Sequence, residues 1–223
     1  MSARSRLRGL ITAAILALAA MPMIDAEAAT ASYYLDQSDI SSMPDGTNYL
    51  EVTLTSNSAG SVDFSISPVF GFSEGANFGL QSFGFNYAGS NTLSASNFVL
   101  PTSWSASFMH PTQMSGFGKF GFAIQGTGSS RLSPLTFSLT GLGGATADET
   151  LSYFAQYSGG NDSLGNQYFA AHLAGFVSGT DTSAYFGGST FAPAVPEADT
   201  FIMMTAGLGM LGAMIRRKKK SKV

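Results

Sequence analysis

The sequence predicts an all-β fold, an antiparallel β-sandwich of jelly-roll or immunoglobulin-like type, with a signal-peptide helix before it and a short C-terminal hydrophobic helix after it. Two observations carry this expectation. Between Ala29 and Phe191, apolar residues recur at period two and show no extended helical pattern. Clusters of Gly, Asn, Asp and Ser divide the segment at short intervals, as tight turns require. Self-similarity at periods of about 20–50 residues is absent, which disfavours a propeller or solenoid.

The strands follow in order. In Tyr49–Thr55, Leu50, Val52 and Leu54 share one face while Glu51 and Thr53 share the other. Ser61–Ser67 repeats the scheme with Val62, Phe64 and Ile66 inward. Phe83–Tyr87, Phe120–Ile124 and Leu135–Leu139 alternate in the same way, the middle one placing Phe120, Phe122 and Ile124 on one face. Trp104–Phe108, Leu151–Tyr157 and Tyr168–Phe176 are weaker strands, and 32–36 and 97–100 would be short edge strands. Turn signals stand between them at Pro44-Asp45-Gly46, Asn57 to Gly60, Gly89-Ser90-Asn91, Gly126 to Ser130, Gly141 to Gly144 and Ser158 to Asp162. About eight to ten strands with one polar and one apolar face pair into two sheets packed face to face.

Charge is sparse and unevenly placed. Asp, Glu, Lys and Arg make up 11% of the chain, against about 25% in ordinary soluble domains. Lys119 and Arg131 are the two bases between residues 30 and 195, against ten acids, so this segment carries a net charge of −8. Neutralising phosphates needs a basic surface, so no nucleic-acid partner is expected. With no cysteine present, thiol catalysis, disulfide scaffolds and cysteine-ligated metals are excluded.

The two ends are of a different kind. Arg4, Arg6 and Arg8 precede an apolar run from Leu10 to Met21, followed by the small-x-small site Ala26-Glu27-Ala28. This is the tripartite layout of a secretory signal peptide over residues 1–28, cut by a signal peptidase at Ala26 and Ala28. At the other end, residues 190–194 read as a linker and 195–222 as a sorting signal. Its hydrophobic helix, 201–215, is fifteen uncharged residues, or roughly 22 Å at 1.5 Å per residue, short of the ~30 Å hydrocarbon core. The tail 216–222 follows at once, and its cluster Arg216, Arg217, Lys218, Lys219 and Lys220 would stay cytoplasmic, leaving residues 30–195, with the 29–189 sandwich, facing outward.

Val195-Pro196-Glu197, a short Gly- and Ala-rich apolar helix and a terminal basic cluster together resemble the PEP-CTERM sorting signal of exported proteins in Gram-negative, exopolysaccharide-producing bacteria. The chain departs from the motif at Ala198, where the family has its second proline. The resemblance implies export, transient inner-membrane retention, cleavage near Pro196-Glu197 by an exosortase, and delivery to the cell surface or matrix. Leu100-Pro101-Thr102-Ser103-Trp104, the stretch Gly116 to Phe122 and Phe169 to Phe176 are similar to ectodomains that carry this signal.

Within the predicted sandwich no residue pattern nominates a catalytic centre, a metal or a cofactor. The chain has no H-E-x-x-H or S-x-x-K set. His110 precedes Pro111 in a turn, and His172 sits on the polar face of its strand. Acid pairs of the kind a glycosidase uses would be Asp36 with Asp39, Asp63 with Glu74, or Asp148 with Glu149. The oxygen-rich loops Asn161-Asp162-Ser163 and Asp45-Gly46-Thr47-Asn48 read as turns before they read as calcium sites. Trp104 would anchor the core, and Tyr33, Tyr34, Tyr157 and Tyr168 are candidates for a sugar-stacking face. The expectation is a non-enzymatic surface or matrix protein with a structural or adhesive role linked to exopolysaccharide. A carbohydrate-binding module of defined specificity is the alternative, followed by a secreted hydrolase.

Overall fold

The computed structural model of the protein describes residues 28–58, 60–144 and 146–192. In chain order the first strands are β1 (Ala29–Leu35), β2 (Gln37–Ser38), β3 (Leu50–Ser58), β4 (Ser61–Pro68), β5 (Ser73–Phe85), β6 (Phe98–Val99) and β7 (Ser105–Ser107). There follow β8 (Thr112–Met114), β9 (Gly118–Phe120), β10 (Phe122–Gln125), β11 (Leu135–Thr140), the helix α1 (Ala147–Ser152), β12 (Phe169–Ser178), β13 (Asp181–Gly188) and β14 (Thr190–Phe191). Among the described residues, two six-stranded sheets form an antiparallel sandwich, ordered β14-β1-β3-β4-β11-β6 and β2-β13-β12-β5-β10-β7. A third, two-stranded sheet is the hairpin β8-β9.

The period-two pattern is what builds the first sheet. Leu50, Val52 and Leu54 of β3 and Val62, Phe64 and Ile66 of β4 are buried, and the register pairs Val52 with Ile66 and Leu54 with Phe64. Leu135, Phe137 and Leu139 continue the apolar layer across β11. From the facing sheet come Phe83, Phe85, Ile124, Phe169, Leu173 and Phe186. Each such side chain contributes on the order of 1.5–3 kcal/mol by leaving water. Trp104 is in this core, and its indole N–H donates to the Ser130 carbonyl at 2.8 Å, which satisfies its polar edge.

The second sheet buries part of its outer face as well. The β8-β9 hairpin folds onto it, and Met114, Phe117 and Phe120 cover Ala123 and Ala170 as a separate small core. Gly84 and Gly187 make this close approach possible. A Cβ on Gly84 would lie 2.9 Å from the Met114 methyl, and one on Gly187 would run into the Phe117 ring.

Several expectations need correction. Phe120–Ile124 is not one strand. The chain turns at Gly121, so Phe120 enters the hairpin core while Phe122 and Ile124 face the sandwich interior. Asn86 holds the turn, accepting from the Gly121 amide at 2.7 Å and donating to the Tyr157 carbonyl at 3.0 Å. Leu151–Tyr157 is not a strand either, because Ala147–Ser152 is helical and Thr146 caps it, its hydroxyl accepting from the Glu149 amide at 3.1 Å. The three-residue spacing of Leu151 and Phe154 puts both on the buried side of this turn. β13 is a strand absent from the sequence expectation, since only Ala184 and Phe186 mark its inner face among Gly, Ser and Thr. Thr190 and Phe191, in the stretch read as linker, pair with Tyr34 and Tyr33 of β1, and the Ala192 amide donates to the Ser32 carbonyl at 2.8 Å.

Candidate functional site

The chain enters and leaves the sandwich at one edge. Ala28, at the expected signal-peptidase site, is exposed immediately before β1, and β14 lies beside β1. Ala26, the motif residues Val195, Pro196 and Glu197, the apolar run 201–215 and the cluster Arg216, Arg217, Lys218, Lys219 and Lys220 lie outside the described residues. Among the described residues no helix is long and apolar enough to cross a membrane.

At that edge the structure gathers three of the four tyrosines singled out in the sequence. Tyr157 and Tyr168 have ring centroids 4.5 Å apart, and Tyr168 meets Tyr33 edge-on at 6.0 Å. Tyr33 in turn touches Phe191 at 5.4 Å. Tyr33 is buried, whereas Tyr157 is 60% and Phe191 57% exposed, so the group forms an aromatic rim with an anchored middle and two accessible ends. Burial raises the Tyr33 phenol above its ordinary value. The neighbouring Tyr157 hydroxyl, and then burial, do the same for Tyr168. Tyr33 and Tyr168 therefore keep hydroxyl protons to donate at neutral pH. Tyr34 is not part of the rim, because it follows Tyr33 on the strand, where alternation sends it to the opposite face, beside Glu51. Phe191 escaped notice in the sequence because it stood two residues before Pro193 in an apparent linker.

The outer face of the first sheet carries hydroxyls. Its register lines up Thr30, Thr55, Asp63 and Ser138 in one cross-strand row and Ser32, Thr53, Ser65 and Thr136 in the next. With Val99, Leu100 and Pro101 as a wall, part of this face forms a shallow cleft of about 580 Å³. Within it the Ser138 hydroxyl donates to Asp63 at 2.6 Å.

The acids read as possible catalytic pairs have structural tasks. Asp36 accepts from the Thr190 hydroxyl and Asp39 from the Tyr185 amide, both at 2.8 Å, so each secures a strand. Asp63 and Glu74 lie in different sheets, and Asp148 and Glu149 occupy the exposed first turn of α1. In the two oxygen-rich loops, Asp45 accepts from the Ser38 amide and Asp162 from the Gln113 side chain, each at 3.0 Å. Among the described residues no group of three or more His, Asp or Glu side chains gathers in a way that could hold a metal ion. His110 is exposed, and His172 lies flat against Tyr185, with centroids 4.4 Å apart and planes at 12°.

Among the described residues, the first and last strands of the two-sheet sandwich, β1 and β14, lie side by side. Residues 194–219 match the PEP-CTERM protein-sorting motif, and this match supports an exported protein sorted through an exosortase. The motif implies a membrane-anchored intermediate before release. No curated protein and no solved structure matches the chain.

Proposed function

We propose that the protein is a non-enzymatic component of the cell surface or extracellular matrix of a Gram-negative bacterium, with a structural or adhesive role in contact with exopolysaccharide. In this reading a signal peptidase cuts at Ala26-Glu27-Ala28, the apolar run 201–215 holds the chain in the inner membrane, and cleavage near Pro196-Glu197 frees it. The observation that supports the contact is the rim of Tyr33, Tyr157, Tyr168 and Phe191. Aromatic faces stack on the apolar side of a pyranose while phenol hydroxyls reach its polar edge. The absence of catalysis is supported by the use of Asp36, Asp39 and Asp45 as strand and loop ties.

The test is co-sedimentation of the exported protein with the producing cell's own exopolysaccharide. Tyr157→Ala with Tyr168→Ala should reduce the bound fraction at least about 10-fold, since base-like stacking contacts of this size are worth ~1–3 kcal/mol. Unchanged sedimentation would reject the rim as the contact. A second reading, a carbohydrate-binding module of defined specificity, is favoured by the hydroxyl-lined cleft around Asp63 and Ser138. Selective, tight binding to one glycan on an array, lost in Ser138→Ala, would move the conclusion to it.

A further inference from the structure

Beyond the β8-β9 hairpin, the outer face of the second sheet opens into a cleft of about 400 Å³ lined by Arg131, His172, Thr182 and Ser183 over a floor that includes Gly75 and Gly175. Clefts of ~300–1,000 Å³ are the size of small-ligand sites. The pairing of β12 with β5 slips twice here, between His172 and Leu173 and between Ala174 and Phe176. Bulges of this kind re-aim side chains and are common beside binding sites. Gly175, at φ +81°, lies so close to β5 that a Cβ on it would lie 2.6 Å from the Asn77 carbonyl oxygen, so the floor stays bare.

Arg131 is one of two basic residues in a segment with ten acids, and it is held in place. Its Nε donates to Gln81 Oε1 at 3.1 Å and one Nη to the Asn77 carbonyl at 3.3 Å. A guanidinium has five N–H donors in a rigid fork, so the rest are left without a protein partner among the described residues. Neither ring nitrogen of His172 has a hydrogen-bond partner among the described residues, and no unpartnered side-chain nitrogen is buried, so both are open to solvent. Of the acids, Asp39, which secures the Tyr185 amide, acts on His172, while Glu74 and Asp181 stand next in sequence to the lining residues Gly75 and Thr182.

From this geometry we infer that the cleft binds a carboxylate-bearing sugar, a hexuronate residue of an acidic polysaccharide. The inference rests on the polysaccharide contact proposed above and adds a chemical class to it. The Arg131 fork takes the carboxylate in two parallel bonds, which a neutral sugar cannot offer. Thr182 and Ser183 supply hydroxyls, and His172 a ring nitrogen, for the sugar's own hydroxyls. The net charge of −8 does not cancel this attraction, because physiological salt screens charges beyond about 8 Å while a bound guanidinium–carboxylate pair is in contact.

The test is calorimetric titration of the exported protein with an oligogalacturonate and with a neutral oligogalactose of equal length, beside Arg131→Gln, His172→Gln and the Tyr157/Tyr168 double Ala variant. We expect the acidic oligosaccharide to bind about 10- to 100-fold more tightly than the neutral one, the range of one charge-assisted pair. Arg131→Gln should abolish that preference, and His172→Gln, which leaves the Arg131 tethers intact, should weaken both sugars. Equal binding of the two sugars, or a preference that survives in a folded Arg131→Gln protein, would overturn the inference. If the rim variant alone lowers binding, the polysaccharide contact stands without this site. If neither sugar binds, this inference falls, and the polysaccharide contact is judged by sedimentation with the producing cell's own polymer.

Discussion

Phe64 touches four other rings: Phe137 stacked at 4.6 Å, Phe154 edge-on at 5.1 Å, and Phe85 and Phe83 at 5.3 and 6.2 Å. Aromatic pairs add about 0.5–1.5 kcal/mol each beyond their buried area, so this position concentrates the core's cohesion. Phe64→Ala should cost ~3–5 kcal/mol, read as a lower urea midpoint, whereas Phe64→Leu should cost clearly less. His172 is an opposite case. Burial, then the charge of Arg131, lowers its pKa below the ordinary 6.5, with Asp39 opposing. The unfolded chain therefore binds more protons just below that value. The stability tied to this group is complete above pH 6.5 and is lost as pH falls through it toward the lowered folded pKa. The melting temperature should drop less between pH 7.5 and 5.5 in His172→Gln than in the natural protein. Equal drops would show that His172 does not titrate differently on folding.

Among the elements, α1 depends on the capping residue before it. Thr146→Ala should destabilise by about 1 kcal/mol, while Thr146→Ser, which keeps the capping hydroxyl, should remain near the natural value in urea titration. The hairpin over the second sheet depends on a missing side chain. Gly187→Ala pushes a methyl into Phe117 and should cost ~1–3 kcal/mol, with faster amide exchange in β8 and β9. These two elements also mark the limit of what sequence alone revealed. Leu50–Leu54, Val62–Ile66 and Leu135–Leu139 were legible because a large apolar residue at every second position has only one way to bury itself. Phe120 broke that logic, since a second small core on the outer face offered another burial place. β13 was silent because its outer face meets Phe117 and so carries Gly at 187 where a marker would stand. Tyr33, Tyr157 and Tyr168 were recognisable as residue types. That they meet one another and Phe191 follows from strand order, which no local pattern encodes.

For the whole molecule, the motif at 194–219 makes the tail separable in action from the sandwich. Removing residues 193–223 leaves the β1-β14 pairing and Ala192 in place. The shortened chain should fold with an unchanged melting temperature yet appear directly in the medium without a membrane-bound phase, as cell fractionation would show. In the natural protein, mass spectrometry of the mature C-terminus should find an end near Pro196-Glu197; a mature surface form that retains Arg216 to Lys220 would reject the processing route.

The pairing of β1 with β14 also bears on timing. A chain threaded outward N-terminus first delivers β1 at the start, but its edge partner arrives only when the segment through Phe191 has crossed. Nothing local can substitute for that late arrival, because contacts between distant parts of a chain must wait for both parts. The apolar run begins at Phe201, nine residues after Ala192, a reach of roughly 30 Å when extended. On the proposed route the last strand would emerge just as the run enters the bilayer, so translocation would stall when the domain first has every piece it needs. On that route the halt at the membrane would serve as a folding interval, and the cut that ends it would release a finished domain in place of a threading chain.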